Sequence, residues 1–522
     1  MPKDPTGEFA SEAATVVAGG PHRGAGLAAD DRSFFGHPRG LSTLFFTEMW
    51  ERFSYYGMRA LLILFMTAAA TGTNPGLGFD TARAGAIYGL AIGFVYMMAL
   101  PGGWVADHIL GQRKAVLYGG ILIALGNFSL AVRGETTFYL GLLLIILGTG
   151  LLKPNVSTMV GELYPEGGAR RDAGFSIFYM GINIGAFLSP LVAGTIGQRW
   201  DWRAGFAVAG IGMVLGLIQY TLGAKHLGSA GLELDVKDEA TRARNVRNLV
   251  IGLGAALALG VTIWLLGFTV EQIAQYTTYI VVSLTLLYFG VVLLAGGLTR
   301  EEKGRVAAIG VLFLAAAVFW SGFDQAATSF NLVAEQLTNL DIFGWPAPAS
   351  WLQSINPLLI IALAPVFAWF WVWLNNRRAN PSSPGKFSIG LVLMGLGFMV
   401  MFLGVQGALG GDRISPMWLI GTYFLHTCAE LFLSPVGLST VTKLAPHRMV
   451  GQMMGIWFMA TALGNLIAGQ MAGAMGVGEG SGEISAALAV EIFQIVGLVA
   501  IGFGILLALF VKPVRRMMGG VH

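Results

Sequence analysis

Charge is scarce in this sequence. Of 522 residues only 12% are Asp, Glu, Lys or Arg, about half the proportion with which a water-soluble domain coats its surface. That scarcity excludes a soluble chain of this size. The few charges nearly cancel, to +3, which leaves no case for a nucleic-acid partner. Cysteine is almost missing as well. The single Cys428 lies in an apolar run, so no intramolecular disulfide is possible. No secretory leader is expected, because the stretch from Thr15 to Ala18 is too short for an apolar leader core. Residues 1–40 read as a flexible tail. Ten-residue segments of alternating polarity are also lacking, which excludes a transmembrane β-barrel.

What the sequence has instead is apolar length. Hydrophobic residues make up 55% of the chain, and the mean hydropathy is +0.67. They gather into runs of about 20, enough as helix to cross about 30 Å of hydrocarbon. The runs fall near residues 41–70, 84–107, 115–132, 137–160, 174–198 and 204–222, then near 249–268 and 277–298. A further six lie near 306–334, 351–374, 387–407, 416–441, 450–474 and 488–511. Fourteen helices arranged as six, two and six are therefore predicted, giving an all-α polytopic membrane protein. The expected units are an N-terminal six-helix bundle at 41–222, a cytoplasmic linker carrying two extra helices at 223–304, a C-terminal bundle at 305–512 and a tail at 513–522.

The distribution of Lys and Arg tests this count, since a missed or false helix would scramble the alternation between the two sides. With the N-terminus inside, 24 of the 32 basic residues fall in inside segments. Five fall outside (Arg83, Arg133, Arg199, Arg203 and Arg413), and three within spans. Both termini are thus expected in the cytoplasm. Gly103-Trp-Val-Ala-Asp107 followed by Gly111-Gln-Arg113-Lys114 resembles the loop between the second and third helices of the major facilitator superfamily. That resemblance implies the major facilitator fold, two six-helix bundles, here with two extra central helices.

A charge in the middle of a bilayer persists only when it is paired, faces a cavity or works. The first run contains Glu48, Glu51, Arg52, Tyr55, Tyr56 and Arg59. At about 100° per residue these six share an arc of roughly 140°. Lys153 is the only charge of the fourth run, and a lone buried lysine needs a partner or must reach the interface. A pair with Glu48 or Glu51 is inferred. The second half contributes Asp324, one turn after Trp320, and Glu430, one turn before Ser434. Asn183, Asn356 and Trp457 are further polar or amphipathic residues inside runs, and His426 reads as a core histidine. Cations in one half and acids in the other suit a zwitterion such as a short peptide.

These residues also carry a family resemblance. Glu48-x-x-Glu51-Arg52-Phe53-x-Tyr55-Tyr56-Gly57 resembles the ExxERFxYYG motif of the proton-dependent oligopeptide transporter (POT) family. Phe178-Tyr179-x-x-Ile182-Asn183-x-Gly185, Phe319-Trp320 with Gln325, Gln353-Ser-Ile-Asn356-Pro357, and Glu430-Leu-x-x-Ser434-Pro435-Val-Gly-Leu-Ser439 resemble further motifs of that family. The resemblance spans about residues 40–512, and the two extra helices match bacterial members.

It implies a proton-coupled symporter that imports di- and tripeptides by alternating access across the bacterial inner membrane, with the proton as coupling ion and no cofactor. The implied peptide site is Arg52, Tyr55, Tyr56, Arg59, Tyr96, Lys153, Asn183, Trp320, Asp324, Asn356, Glu430, Ser434 and Trp457. The implied coupling set is Glu48, Glu51, Arg52, Lys153 and Asp324. The family commonly has Glu where this chain has Asp324, which leaves that side chain's contact with the peptide amine open. The alternative is a major facilitator transporter of another small solute, nitrate or a metabolite. No enzyme is expected. Pro154 stands where a phosphate loop needs Ser or Thr, and no nucleophile or metal set accompanies the carboxylates.

Overall fold

A computed structural model describes residues 31–519 apart from 233, 235–237, 343 and 479; of residues 435 and 438 only the backbone is described. Among the described residues fourteen long helices follow one another. In the first half these are α1 (Arg39–Thr67), α2 (Thr81–Leu110), α3 (Gln112–Ala131), α4 (Glu135–Glu162), α5 (Gly168–Arg199) and α6 (Trp202–Leu227). Two central helices come next, α7 (Glu239–Leu265) and α8 (Val270–Ala295). The second half holds α9 (Arg300–Gln336), α10 (Ala349–Asn376), α11 (Ser383–Gly410), α12 (Met417–Leu444), α13 (His447–Gly473) and α14 (Ala486–Met517). Among the described residues thirteen of them are long and apolar enough to cross a membrane. The remaining one is α1, whose run is interrupted by Glu48, Glu51, Arg52 and Arg59. The architecture is the all-α polytopic fold read from the sequence.

Within the first half α1 packs on α5 and α6, and α3 on α4 and α6. Within the second, α11 packs on α12 and α14, and α9 on α13 and α14. The halves meet along two seams, α2 with α13 and α5 with α10. Lipid is as apolar as leucine, so such seams depend on close backbone approach at small residues. At the α2–α13 seam a Cβ on Gly85 would collide with the Gly469 carbonyl and lie 2.9 Å from the Gly473 nitrogen. α8 lies against α13, α2 and α9, whereas the apolar stretch of α7 has no buried residue.

Two helices are broken where function is later found. α2 leaves regular α-helix after Met97 and restarts at Ala99, because Pro101 lacks the N–H that Met97 O would accept. α9 breaks at Phe323 into the 3-10 turn Asp324–Ala327 and resumes as Ser329–Gln336. Between α9 and α10 a two-residue hairpin pairs Asp341–Ile342 with Trp345–Pro346.

The helix ends correct the sequence reading. α7 starts at Glu239, some ten residues before the expected run, capped by Asp238, whose carboxylate accepts from Ala240 and Thr241 N–H. α9 starts at Arg300 through a capping box of Thr299 with Glu302. Apolar counting sees only the hydrocarbon portion, whereas charged first turns and caps extend helices into the headgroup layer. The expected 513–522 tail is helical as far as Met517, and 520–522 lie outside the described residues. Of the expected 1–40 tail, residues 1–30 also lie outside them. Residues 31–38 are docked rather than loose: Asp31 accepts from Arg39 N–H at 2.8 Å, and His37 meets Tyr164 Oη at 2.8 Å. The Arg39 N–H is the main reason the Asp31 carboxyl sits below its ordinary range.

Filling the α2–α13 seam will loosen the fold. Gly469→Val should lower stability by about 1–3 kcal/mol through overpacking, read as a drop in the detergent-solution unfolding midpoint. Gly502→Val, on a glycine with open space around it, should leave the midpoint nearly unchanged.

Candidate functional site

The charged stretch of α1 is pressed against α5 because α5 offers Gly185 there. A Cβ at that position would lie 3.0 Å from both Arg52 Cβ and Phe53 N. In this narrow place Arg52 Nε lies 2.8 Å from Glu48 Oε1 and 2.7 Å from Glu51 Oε2, all three side chains almost fully buried. Two carboxyl groups thus share one guanidinium, so the triad has one acid more than it has bases. The Arg52 guanidinium also lies 5.5 Å from the Tyr55 ring centroid.

Lys153 does not form the inferred pair. No ion pair joins it to Glu48 or Glu51. Its Nζ sits 4.1 Å from the centroid of the Tyr96 ring, from α2. The reason is proximity along the chain: Arg52 is one turn from Glu48 and adjacent to Glu51, so it reaches both acids from its own helix. Lys153 stays within electrostatic range of the two acids and of Arg52.

One turn beyond Tyr55 and Tyr56, Arg59 is tied across the molecule. Its Nη2 lies 2.6 Å from Asp324 Oδ1 in the turn that breaks α9, and its Nε donates to Tyr88 Oη at 2.6 Å. The shorter Asp324 therefore reaches the first half without difficulty. On α12, Glu430 Oε2 accepts from Asn356 Nδ2 at 3.0 Å, and the same amide donates to Thr427 Oγ1.

The sequence-predicted residues divide by environment. Glu48, Glu51, Arg52, Tyr55, Arg59, Asn183, Asp324 and Trp457 are buried, whereas Tyr56, Tyr96, Lys153, Trp320, Asn356, Glu430 and Ser434 are half-exposed. Asn183 donates to the Tyr179 carbonyl of its own helix, and Trp457 packs on Phe387 and against Gly437, so both are engaged in packing. His426 is a core residue, bonded to the Met394 carbonyl at 3.1 Å among Phe330 and Phe398. Two further residues belong to the constellation. Tyr88, two turns before Tyr96, accepts from Arg59, and its only signal in the sequence is that spacing. Tyr179 is 46% exposed and near both Glu430 and Tyr56; its signal was its place in the quoted Phe178-Tyr179 motif.

The site is sealed at the end of the molecule opposite the described chain ends. There Asn331 donates to the Ala60 carbonyl, Trp351 to Thr195 Oγ1 at 2.7 Å, Ser354 to the Phe187 carbonyl and Gln198 to Glu335. Each of these bonds joins one half to the other.

Comparison with known proteins agrees with the geometry. Residues 113–487 match the family model described as POT family. The chain is 44% identical over 455 residues to the peptide transporter YePEPT of Yersinia enterocolitica subsp. palearctica, covering 85% of this chain and 89% of that one. It is 38% identical to the di-/tripeptide transporter of Lactococcus lactis subsp. cremoris, covering 95% and 99%. Among solved structures, a peptide transporter POT in complex with sulfate superposes with a TM-score of 0.86 at 40% identity, covering 97% of this chain and 99% of that one.

Removing one partner of the pair across the halves will leave a buried charge alone. Arg59→Met should cost about 3–5 kcal/mol of stability, and Asp324→Asn in the same molecule should recover much of it. A thermal-unfolding double-mutant cycle reads the coupling, and additive losses would show that the two groups act independently.

Proposed function

The chain belongs to the POT family, and from that premise we propose that it imports di- and tripeptides together with protons by alternating access. The carrying observation is the placement of a buried Glu48–Arg52–Glu51 triad, with one acid more than it has bases, beside half-exposed Lys153, with Glu430 on the facing half. A peptide's carboxylate fits the Lys153 side and its amine the Glu430 side, where Tyr56 and Tyr179 complete the wall. Arg52 and Arg59 are committed to carboxylates in this arrangement, so Lys153 is the cation that first meets substrate. Glu430 disfavours a simple anion, which speaks against nitrate. The bias of Lys and Arg supports placing the chain ends in the cytoplasm, and the sealed end then faces outward. Bacterial relatives support the inner membrane as its location.

Coupling follows from the charge count. One proton on Glu48 or Glu51 neutralises one of the two acids and loosens the triad's hold on Arg52, which then becomes available to the peptide carboxylate. Protonation of Asp324 acts likewise on Arg59 and on the outer seal. The energetics suffice. One charge crossing about 100 mV releases about 2.3 kcal/mol, and each 1.4 kcal/mol is about a tenfold concentration ratio. One proton thus supports roughly fiftyfold accumulation of a neutral peptide.

The test is uptake of labelled dialanine into proteoliposomes with and without an inward proton gradient and membrane potential. Accumulation should collapse with an uncoupler. Glu48→Gln and Glu51→Gln should each abolish gradient-driven accumulation while counterflow of peptide persists. Undiminished accumulation in both variants would remove these acids from the coupling mechanism, and no peptide movement in either mode would overturn the substrate.

A further inference from the structure

Buried polar atoms without partners collect at two places in this mostly apolar molecule, the charged stretch of α1 and the break in α9. Asp324 Oδ2, Thr328 Oγ1 and Asn331 Oδ1 are all buried with no hydrogen-bond partner. Buried polar atoms ordinarily find partners, and with Gln325 Oε1 and Ser329 Oγ the break holds five without one in eight residues, which calls for a reason. Their placement gives one. Asn331 faces α1, since its Nδ2 donates to the Ala60 carbonyl at 2.8 Å. Asn331 and Glu335, four residues apart, share a face of the outer segment of α9, and Thr328 stands buried at the break immediately before that segment. Glu335 is exposed at the outer end, where it accepts from Gln198 of α5. At the inner end of the same line Asp324 holds Arg59. A polar line therefore runs along the seam between the halves, from the outer surface to the mid-membrane ion pair.

We propose that Thr328 and Asn331 form the outer proton-entry route to Asp324, wetted only when α1 and the outer segment of α9 part. The inference rests on the reading of Asp324 as a coupling acid. In the sealed arrangement the route is dry and closed by the Asn331–Ala60 bond, so no leak connects the two sides. When the outer end opens, the Thr328 hydroxyl and the Asn331 amide gain water as partners. An external hydronium then passes its proton along that water to Asp324 Oδ2, leaving neutral water outside, and Arg59 loses its counter-charge. The other titratable groups whose charges act on Asp324 are Tyr56, Tyr88, Tyr96, Lys153 and Glu430. None of them lies on the outer segment of α9, so delivery from outside falls to the uncharged groups of this line.

The test uses the full-length protein in proteoliposomes. Thr328→Val, which keeps shape and removes the hydroxyl, and Asn331→Leu should each slow proton-driven dialanine uptake at least fivefold. Counterflow, which needs no net proton movement, should stay within twofold in Thr328→Val, whose hydroxyl takes no part in the outer seal, and Thr328→Ser should restore driven uptake. A pH-sensitive dye inside the vesicles should report the same loss in peptide-dependent acidification. Equal loss in both modes, or no loss in either, would overturn the route. Asp324→Asn is the control for its premise. If that variant still accumulates peptide against a gradient, no proton need reach the carboxyl and the route falls with the reading beneath it.

Discussion

A charge in hydrocarbon survives beside its opposite, and the arrangement of this molecule follows from how α1 meets that condition. Its four buried charged residues are settled in two different ways. Arg52 is satisfied inside its own helix, by Glu48 and Glu51. Arg59 finds its partner only in the other half, at Asp324. The first solution leaves one acid more than there are bases to meet it. The second makes the union of the halves depend on a carboxylate that a proton can neutralise. Because the two lie about two turns apart on one helix, whatever happens at one is felt near the other, and the half-exposed wall between them is where a zwitterion fits.

Much of this was legible before any coordinates. The six, two and six grouping of apolar runs and the ExxER stretch of the first run led directly to the fold and the family. What was misread was the partner of Lys153. The information was present, since Glu48 stands four residues before Arg52 and Glu51 next to it, but the lone lysine drew attention to the same acids. Local pairing won because it orders fewer degrees of freedom than a bridge between helices. Thr328 and Asn331 were invisible for another reason: one hydroxyl and one amide hardly disturb an apolar average. Helix ends and the docked residues 31–38 were missed because caps and aromatic anchoring leave no trace in hydropathy.

Apolarity also fails to say which helices touch protein. α7 is rich in Leu, Ala and Gly, yet no residue of its apolar stretch is buried, and Gly252, Gly254 and Gly260 have open space around them. Gly85 of α2 meets the backbone of α13 closely enough to exclude any side chain. Where the solvent is itself hydrocarbon, the distinction is carried by shape and not by greasiness.

The connections flanking α7 and α8 hold a mechanical consequence. Before the pair, Arg113 of α3 grips the carbonyls of Gly228 and Ala230, fastening the chain to the first half. After it, Arg448 of α13 grips the carbonyls of Gly296 and Gly297, fastening the chain to the second. The central pair is therefore held to both halves, by its flanking connections and by α8 lying against α2, α9 and α13, so helices outside the chemistry still bind the two bodies together.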